Sequence, residues 1–379
     1  MSITKEELEE KVRNREDLSG FDLSKGSYSG LNLVGAKLSG ANLSESDFVN
    51  TNFSGADLSE ANFSLSNLTG AILENTKLKE TNFSEANLSV ANLGNANARR
   101  AIFTKATIHN ANFQKTNLYQ SDFSNSKLYH SEFEGADVSF SNFEEANLED
   151  VNLQSANLKG EKLRKAILKD AKLQNINLES ADLSDVNLEG SDLSGSRLDR
   201  ANLKDANLSE SNLQGVDLFQ ANLKGANLSQ VNFKGANLKN ANFNAGGTWD
   251  MGLYHPANLN TANFEGANLE TVNFDISNLA GINFKDANLK KVLFGTSEYY
   301  CDLSNANFEN ANLEEAIFRG VNFIGANLKN SILLNARFEG YDDYHLGKRY
   351  TNKIDRKWKS MIESSGIEKF YSPNHIEWV

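Results

Sequence analysis

Leu or Phe returns every fifth residue along most of this chain, and two places before it stands Ala, Ser or Val. Residues 201–243 show the pattern most plainly: ANLKD ANLSE SNLQG VDLFQ ANLKG ANLSQ VNFKG ANLKN ANF. We take the Leu/Phe position as the centre of each five. In an α-helix five residues advance by about 500°, so the centres spiral and form no apolar stripe. In a straight strand side chains alternate, and an odd spacing flips successive centres to opposite faces. A short extended piece with a bend every five residues satisfies the pattern. The centre and the residue two before it then face inward, and the polar residue between them faces out.

The bend falls on the two residues after each centre. Gly or Asn often fills the second, as at Gly40, Gly55, Gly70, Gly135, Asn110 and Asn240, where a type II turn needs a positive φ. Where Glu or Lys stands there, the expectation is a type I-like or irregular bend. The spacing of Phe sets the number of sides. Phe103, Phe113, Phe123, Phe133 and Phe143 recur every ten residues, as do Phe264, Phe274, Phe284 and Phe294. An even number of sides puts Phe on alternate walls and stacks like on like, so a four-sided coil of twenty residues fits and a fifteen-residue triangle does not. Parallel strand hydrogen bonds, about 4.8 Å apart, join each coil to the next.

The triplets Ala41-Asn42-Leu43, Ala56-Asp57-Leu58 and Ala221-Asn222-Leu223, repeated over residues 16–340, resemble the A(D/N)LXX motif of the pentapeptide-repeat family. The resemblance implies an all-β fold, a right-handed quadrilateral parallel β-helix, and a bacterial protein. Sixty-two centres make about fifteen coils, a rod of roughly 70 Å.

Three segments follow: an N-terminal helical cap at 1–16, the β-helix at 17–340, and a C-terminal helical cap and tail at 341–379. Thr4-Lys5-Glu6-Glu7 is a capping box, and Ile3 and Leu8 are placed as a hydrophobic staple, predicting a helix over 5–14. Ile354, Trp358, Met361 and Ile362 predict a second helix over 351–364, followed by an extended tail. The register breaks at 244–256 and 295–300, read as loops or a kink. Within the array, the small centre Ala98 predicts a cavity. Glu161, in an inward position, is expected to bulge outward or find a partner.

Candidate chemistry is sparse. The five histidines form no zinc motif. His109 and His130 lie one coil apart and read as surface residues, and Cys301 sits at an inward position and reads as packing. No phosphate loop or nucleophile elbow is present. The expectation is no enzyme, no metal and no cofactor. The net charge is −12, from 38 basic and 50 acidic residues, which argues against direct nucleic-acid binding. No apolar run is long enough to span a membrane and no signal-peptide core is visible, so a cytoplasmic protein is expected.

The leading functional reading is a non-enzymatic scaffold that binds a protein through its walls, loops and ends. Its anchors are sought where the repeat breaks: Trp249, Met251, Leu253 and Tyr254 in one interruption, Tyr299 and Tyr300 in the other, and Trp358 in the tail. Phe140 and Phe219 read as isolated surface residues. The partner is an unknown protein or a second copy, joined through the C-terminal end or the 244–256 loop. The resemblance also implies an alternative: an acidic rod that mimics DNA and binds a type II topoisomerase, in gyrase inhibition or quinolone protection. The expected charge density opposes it, about one charge per 6–7 Å against one per 1.7 Å for duplex DNA.

Overall fold

The structure is a computed structural model. It describes residues 3–159, 161–244, 257–274, 279–295, 301–339, 341–343, 348–350, 352–354, 356–364 and 376–379. The chain forms two compact units, Met1–Asn187 and Leu188–Val379.

In the first unit the residue before each centre from 17 to 167 bridges in parallel to the residue twenty positions on, from Asp17↔Lys37 to Ile167↔Asn187. Each coil therefore has four five-residue sides, as the Phe spacing requires. Centres such as Leu43, Phe83 and Leu118 are fully buried, and the small residues two places before them are buried too. Rings stack wall by wall: Phe83 on Phe103 at 5.1 Å, Phe103 on Phe123 at 4.5 Å, Phe123 on Phe143 at 4.8 Å, with Phe113 on Phe133 at 4.6 Å. The two columns meet edge to face, Phe103 against Phe113 at 5.8 Å. Inward hydroxyls remain satisfied by donating to a centre's carbonyl, either in the preceding coil, as Thr51 does to Tyr28 (2.9 Å) and Thr116 to Leu93 (2.8 Å), or three residues back, as Ser126 does to Phe123 (2.5 Å). Gly26 must be glycine, because a Cβ there would overlap the buried Tyr28 ring.

The bends differ from expectation. The second residue after the centre is left-handed whatever its type: Gly20 at φ +69°, but also Lys25 at +57°, Glu45 at +55°, Leu65 and Val90 at +61°. No separate bend serves Glu or Lys. The corner is held from both sides, because this residue's N–H donates to the next coil (Glu45 to Ser64, 2.9 Å; Val90 to His109, 2.8 Å). Losing that bond and its register would cost more than the roughly 1–2 kcal/mol that a left-handed side chain pays.

Ala98 is fully buried and keeps its bond to the Asn117 carbonyl (2.8 Å). Glu161 does not bulge out. It is buried, and the partner it finds is a backbone amide, the Ser141 N–H at 3.1 Å. The nearby cations turn outward instead, Arg164 to Glu144 at 2.9 Å and Lys165 to Glu145 at 3.3 Å.

The second unit carries both interruptions, and its walls run through them. Asn227 bridges Asn258 and Asn232 bridges Asn263, 31 residues apart rather than 20, so the first interruption adds eleven residues to a coil. Across the second, Asn283 bridges Asn307 at a separation of 24. Wall pairing therefore resumes on the far side of each interruption. Stacking continues across them, with Phe233 on Phe264 at 4.9 Å and Phe294 on Phe318 at 5.3 Å.

Each end is covered in part by side chains that stand in for a missing coil. At the first, α1 (Lys5–Arg13) starts with the expected capping box and buries Leu8. Lys5 Nζ donates to the Ser29 carbonyl (2.9 Å) and Glu9 Oε1 accepts from the Asn32 amide (3.1 Å), both on the open edge of the first coil. At the other end the expected helix over 351–364 is only partly present. Asn352–Ile354 is instead a strand, parallel to Val321–Asn322 on one side and to Ile376–Trp378 on the other. Asn352 explains the difference. It is fully buried, accepts from the Val321 amide (3.0 Å) and donates to the Glu339 carbonyl (3.2 Å), pairings a helix cannot offer. The helix proper, α2, is Lys359–Ser364, after a 3-10 turn at Arg356–Trp358. Ile354 and Ile362 are buried.

Candidate interaction surface

The outward residue of each five is itself built into the wall. In the second unit one column runs Asn212, Asn232, Asn263, Asn283, Asn307 and Asn327. Each Nδ2 donates to the Oδ1 one coil back, at 2.9–3.5 Å. The same Oδ1 accepts the amide two residues on, as from Lys234 to Asn232 (3.2 Å). One Asn thus closes a bend and ties two coils. Sequence reading took these positions only as polar; the recurrence of Asn, with a carbonyl and an NH₂ to serve both ends, was the available signal.

Some of the carboxylates are met by cations a coil away. Lys77 lies 3.1 Å from Asp57, Lys239 2.9 Å from Glu270, Lys290 3.0 Å from Glu314 and Lys329 3.3 Å from Glu309. The Lys239 ammonium, hydrogen-bonded to Glu270, holds that carboxyl below its ordinary value.

Buried titratable groups are sealed away. Burial pushes the Glu161 carboxyl up to about 9, against the hydrogen bond from Ser141 and with the nearby Asp137 charge adding to the rise. Its Oε2 has no partner. Cys301 is fully buried, and burial pushes its thiol well above the ordinary range, so it is no nucleophile. Among the described residues no group of three or more His, Cys, Asp and Glu could hold a metal.

Two corners of the first unit carry aromatic clusters. Phe140 is more than half exposed but not isolated: it meets Tyr119 edge-on at 5.7 Å, and the Arg99 guanidinium lies 5.0 Å from the centre of the Tyr119 ring. At another corner His109 lies on Tyr129 (3.6 Å between centroids), and His130 Nδ1 faces Asp150 Oδ2 at 3.4 Å. Burial, then Lys127 and His130, hold the His109 imidazole below its ordinary pKa. An open groove of about 820 Å³ runs beneath α1, lined by Glu9, Arg13, Arg15, Asn32, Val34 and Lys37.

Of the sequence-predicted anchors, Trp249, Met251, Leu253, Tyr254, Tyr299 and Tyr300 lie outside the described residues. Trp358 is half-buried, and its indole N–H donates to the Ala326 carbonyl at 3.0 Å, the position a next coil's amide would take.

The sequence matches two family models. The one described as Pentapeptide repeats (8 copies) matches residues 17–55, 46–84, 181–218, 211–245, 257–290 and 301–340; the Pentapeptide repeat region matches 66–139 and 106–183. The chain belongs to the pentapeptide-repeat family. No curated protein matches this pentapeptide-repeat chain. Solved structures similar to it include HetL, a pentapeptide repeat protein involved in heterocyst differentiation regulation from the cyanobacterium Nostoc sp. Strain PCC 7120. It is 22% identical over 90% of this chain and 97% of that one, with a TM-score of 0.15. QnrB1, a plasmid-mediated fluoroquinolone resistance protein, is 24% identical over 52% of this chain and 89% of its own, with a TM-score of 0.21. A pentapeptide repeat protein from the Arabidopsis thaliana thylakoid lumen is 26% identical over 30% and 68%, with a TM-score of 0.17. None of these superpositions bears on function.

Proposed function

We propose that this pentapeptide-repeat protein is a non-enzymatic, cytoplasmic scaffold that binds a partner protein through its outer walls, loops and ends. The observation that carries the reading is the filled interior. Inward residues from both units are buried, and the titratable groups among them, Glu161 and Cys301, have no access to a substrate. What the molecule offers is surface: flat walls, the aromatic corner at Arg99, Tyr119 and Phe140, and the places where the repeat is interrupted. The carboxylates that do pair with lysine or arginine, among them Asp57, Glu144, Glu270 and Glu314, interrupt the even row of unpaired negative charge that a DNA mimic needs, which weighs against that alternative.

Affinity capture with the full chain and with a variant lacking residues 245–256 tests the proposal. A protein retained by the full chain and lost with the loop supports it. Capture of a topoisomerase, competed by duplex DNA at low salt, would transfer support to the alternative. Turnover of any substrate by the purified chain would end the scaffold reading.

A further inference from the structure

The last coil is closed on some walls and open on others. In the preceding coil four amides on two adjoining walls donate forward: Phe308 to Asn327 (2.7 Å), Asn310 to Lys329 (2.9 Å), Leu313 to Ile332 (2.7 Å) and Glu315 to Leu334 (2.9 Å). One coil on, the corresponding amides are those of Leu328, Asn330, Leu333 and Asn335, and among the described residues none of them meets an acceptor. The cap reaches this edge at one point, where Trp358 occupies the Ala326 carbonyl. Among the described residues the backbone around Leu333 has no such plug, although the Leu333 side chain is itself buried. Beside it, Ile332 and Leu334 stand 53% and 51% exposed, among the most exposed large apolar side chains in the second unit. A shallow hollow of about 420 Å³, lined by Lys291, Glu315, Ile317, Asn335 and Arg337, adjoins the same wall.

We propose that residues 328–335 are a docking edge for an extended segment of a partner protein, which adds to the last coil as a parallel strand. The chemistry of the edge specifies the occupant. Amide donors two residues apart call for backbone carbonyls at strand spacing, which an extended polypeptide supplies and a helix does not. Every earlier wall shows what side chains such a strand carries: a small residue, a polar one, then Leu or Phe, with the polar residue an Asn where it is to continue the column of Asn307 and Asn327 (3.0 Å). On the first coil of a second copy α1 occupies part of the edge, through Leu8, Lys5 on the Ser29 carbonyl and Glu9 on the Asn32 amide, so a second copy would have to move that helix to dock here and a separate extended segment would not. The proposal deepens the scaffold reading by naming a kind of partner, and it is tested on this wall alone.

The probe is a synthetic peptide with the sequence of residues 306–316 of this chain, added to the full-length protein. Amide hydrogen exchange is followed at Leu333 and Asn335, with Leu313 and Glu315 as internal references. The free protein should exchange at Leu333 and Asn335 at least a hundredfold faster than at the references. Peptide should slow the first pair saturably and leave the references unchanged. Leu334→Lys, at an exposed position, should weaken peptide binding at least tenfold, with an unchanged circular dichroism spectrum. Protection of Leu333 in the free protein equal to that of Leu313 would show that the edge is closed. Protection that rises with protein concentration alone would assign the edge to a second copy. Either result overturns the proposal, as does peptide without effect. A negative affinity capture with the loop variant would leave these results standing, so the two readings fail separately.

Discussion

Glu161 gives the sharpest test of how the interior is built. Its carboxyl sits where Ala, Ser, Thr or Val stands in other coils, fully buried, with Oε1 accepting one backbone amide and Oε2 accepting none. The folded state therefore holds the proton to about pH 9, whereas the ordinary value is 4.5. Below the lower value both states are protonated and the group adds no pH dependence. Between the two values only the folded state keeps the proton, so stability falls as pH rises, by about 1.4 kcal/mol per unit. At pH 7 the loss amounts to roughly 3 kcal/mol, a large share of a typical margin.

The column in which Glu161 lies suggests the replacement. Ser121 N–H donates to Ser141 Oγ (3.2 Å), and Ser141 Oγ donates to the Leu118 carbonyl (2.8 Å). Glu161→Ser repeats the arrangement one coil on. Its hydroxyl would take the Ser141 amide and reach the Val138 carbonyl, leaving no orphan oxygen. We expect this variant to be more stable than wild type by about 3 kcal/mol at pH 7, and to be little different near pH 4.5. Urea unfolding of both proteins at several values between pH 5 and pH 9 measures it, because titrations elsewhere cancel in the difference. Curves that stay parallel across that window would refute the buried, protonated carboxyl.

Three further outcomes follow from the same geometry. Val90→Gly should stabilise the first unit by about 1 kcal/mol in urea unfolding, because a β-branched, exposed residue is held at φ +61° and glycine is not strained there. Phe123→Ala removes a ring stacked between Phe103 and Phe143, and should cost about 3–5 kcal/mol by the same measurement. Leu193→Asp places a charge at a fully buried centre and should abolish folding of the second unit by circular dichroism, while Asp192→Ala next to it should cost about 1 kcal/mol, since Asp192 accepts from the Ser194 amide (2.9 Å) and Asn212 Nδ2 (3.1 Å).

The five-residue period and the Phe spacing made the four-sided coil legible, because both are consequences of which side chains must be hidden. Backbone conformation at the corners was not legible. Residue preference argued for different bends at Gly70 and Glu45, and the hydrogen bonds to neighbouring coils override that preference at corners such as Glu45 and Val90. The same holds for Asn352–Ile354, where local apolar spacing suggested a helix and pairing with Val321–Asn322 made a strand. Asp192 shows the limit for the surface. From sequence it is one more outward polar residue, and only the stacked coil shows that its carboxylate closes a bend.

That property of the outward residues bears on where binding resides. A wall in mid-array has spent its backbone donors on the next coil and many of its side-chain amides on each other, as the column from Asn212 to Asn327 shows. A partner laid on such a wall finds side-chain tips but no free main chain, so contacts there change easily without disturbing the coil. At the end of an array the balance reverses. Leu333 and Asn335 have the geometry of a coil and lack the coil that should follow, so unmet hydrogen bonds and exposed apolar side chains coincide on one edge. An unpaired strand edge is a hazard that proteins cover, and the chain does cover its first coil with Lys5 and Glu9 and part of its last with Asn352 and Trp358. An edge left open beside walls that are partly covered is where strand addition costs the least rearrangement.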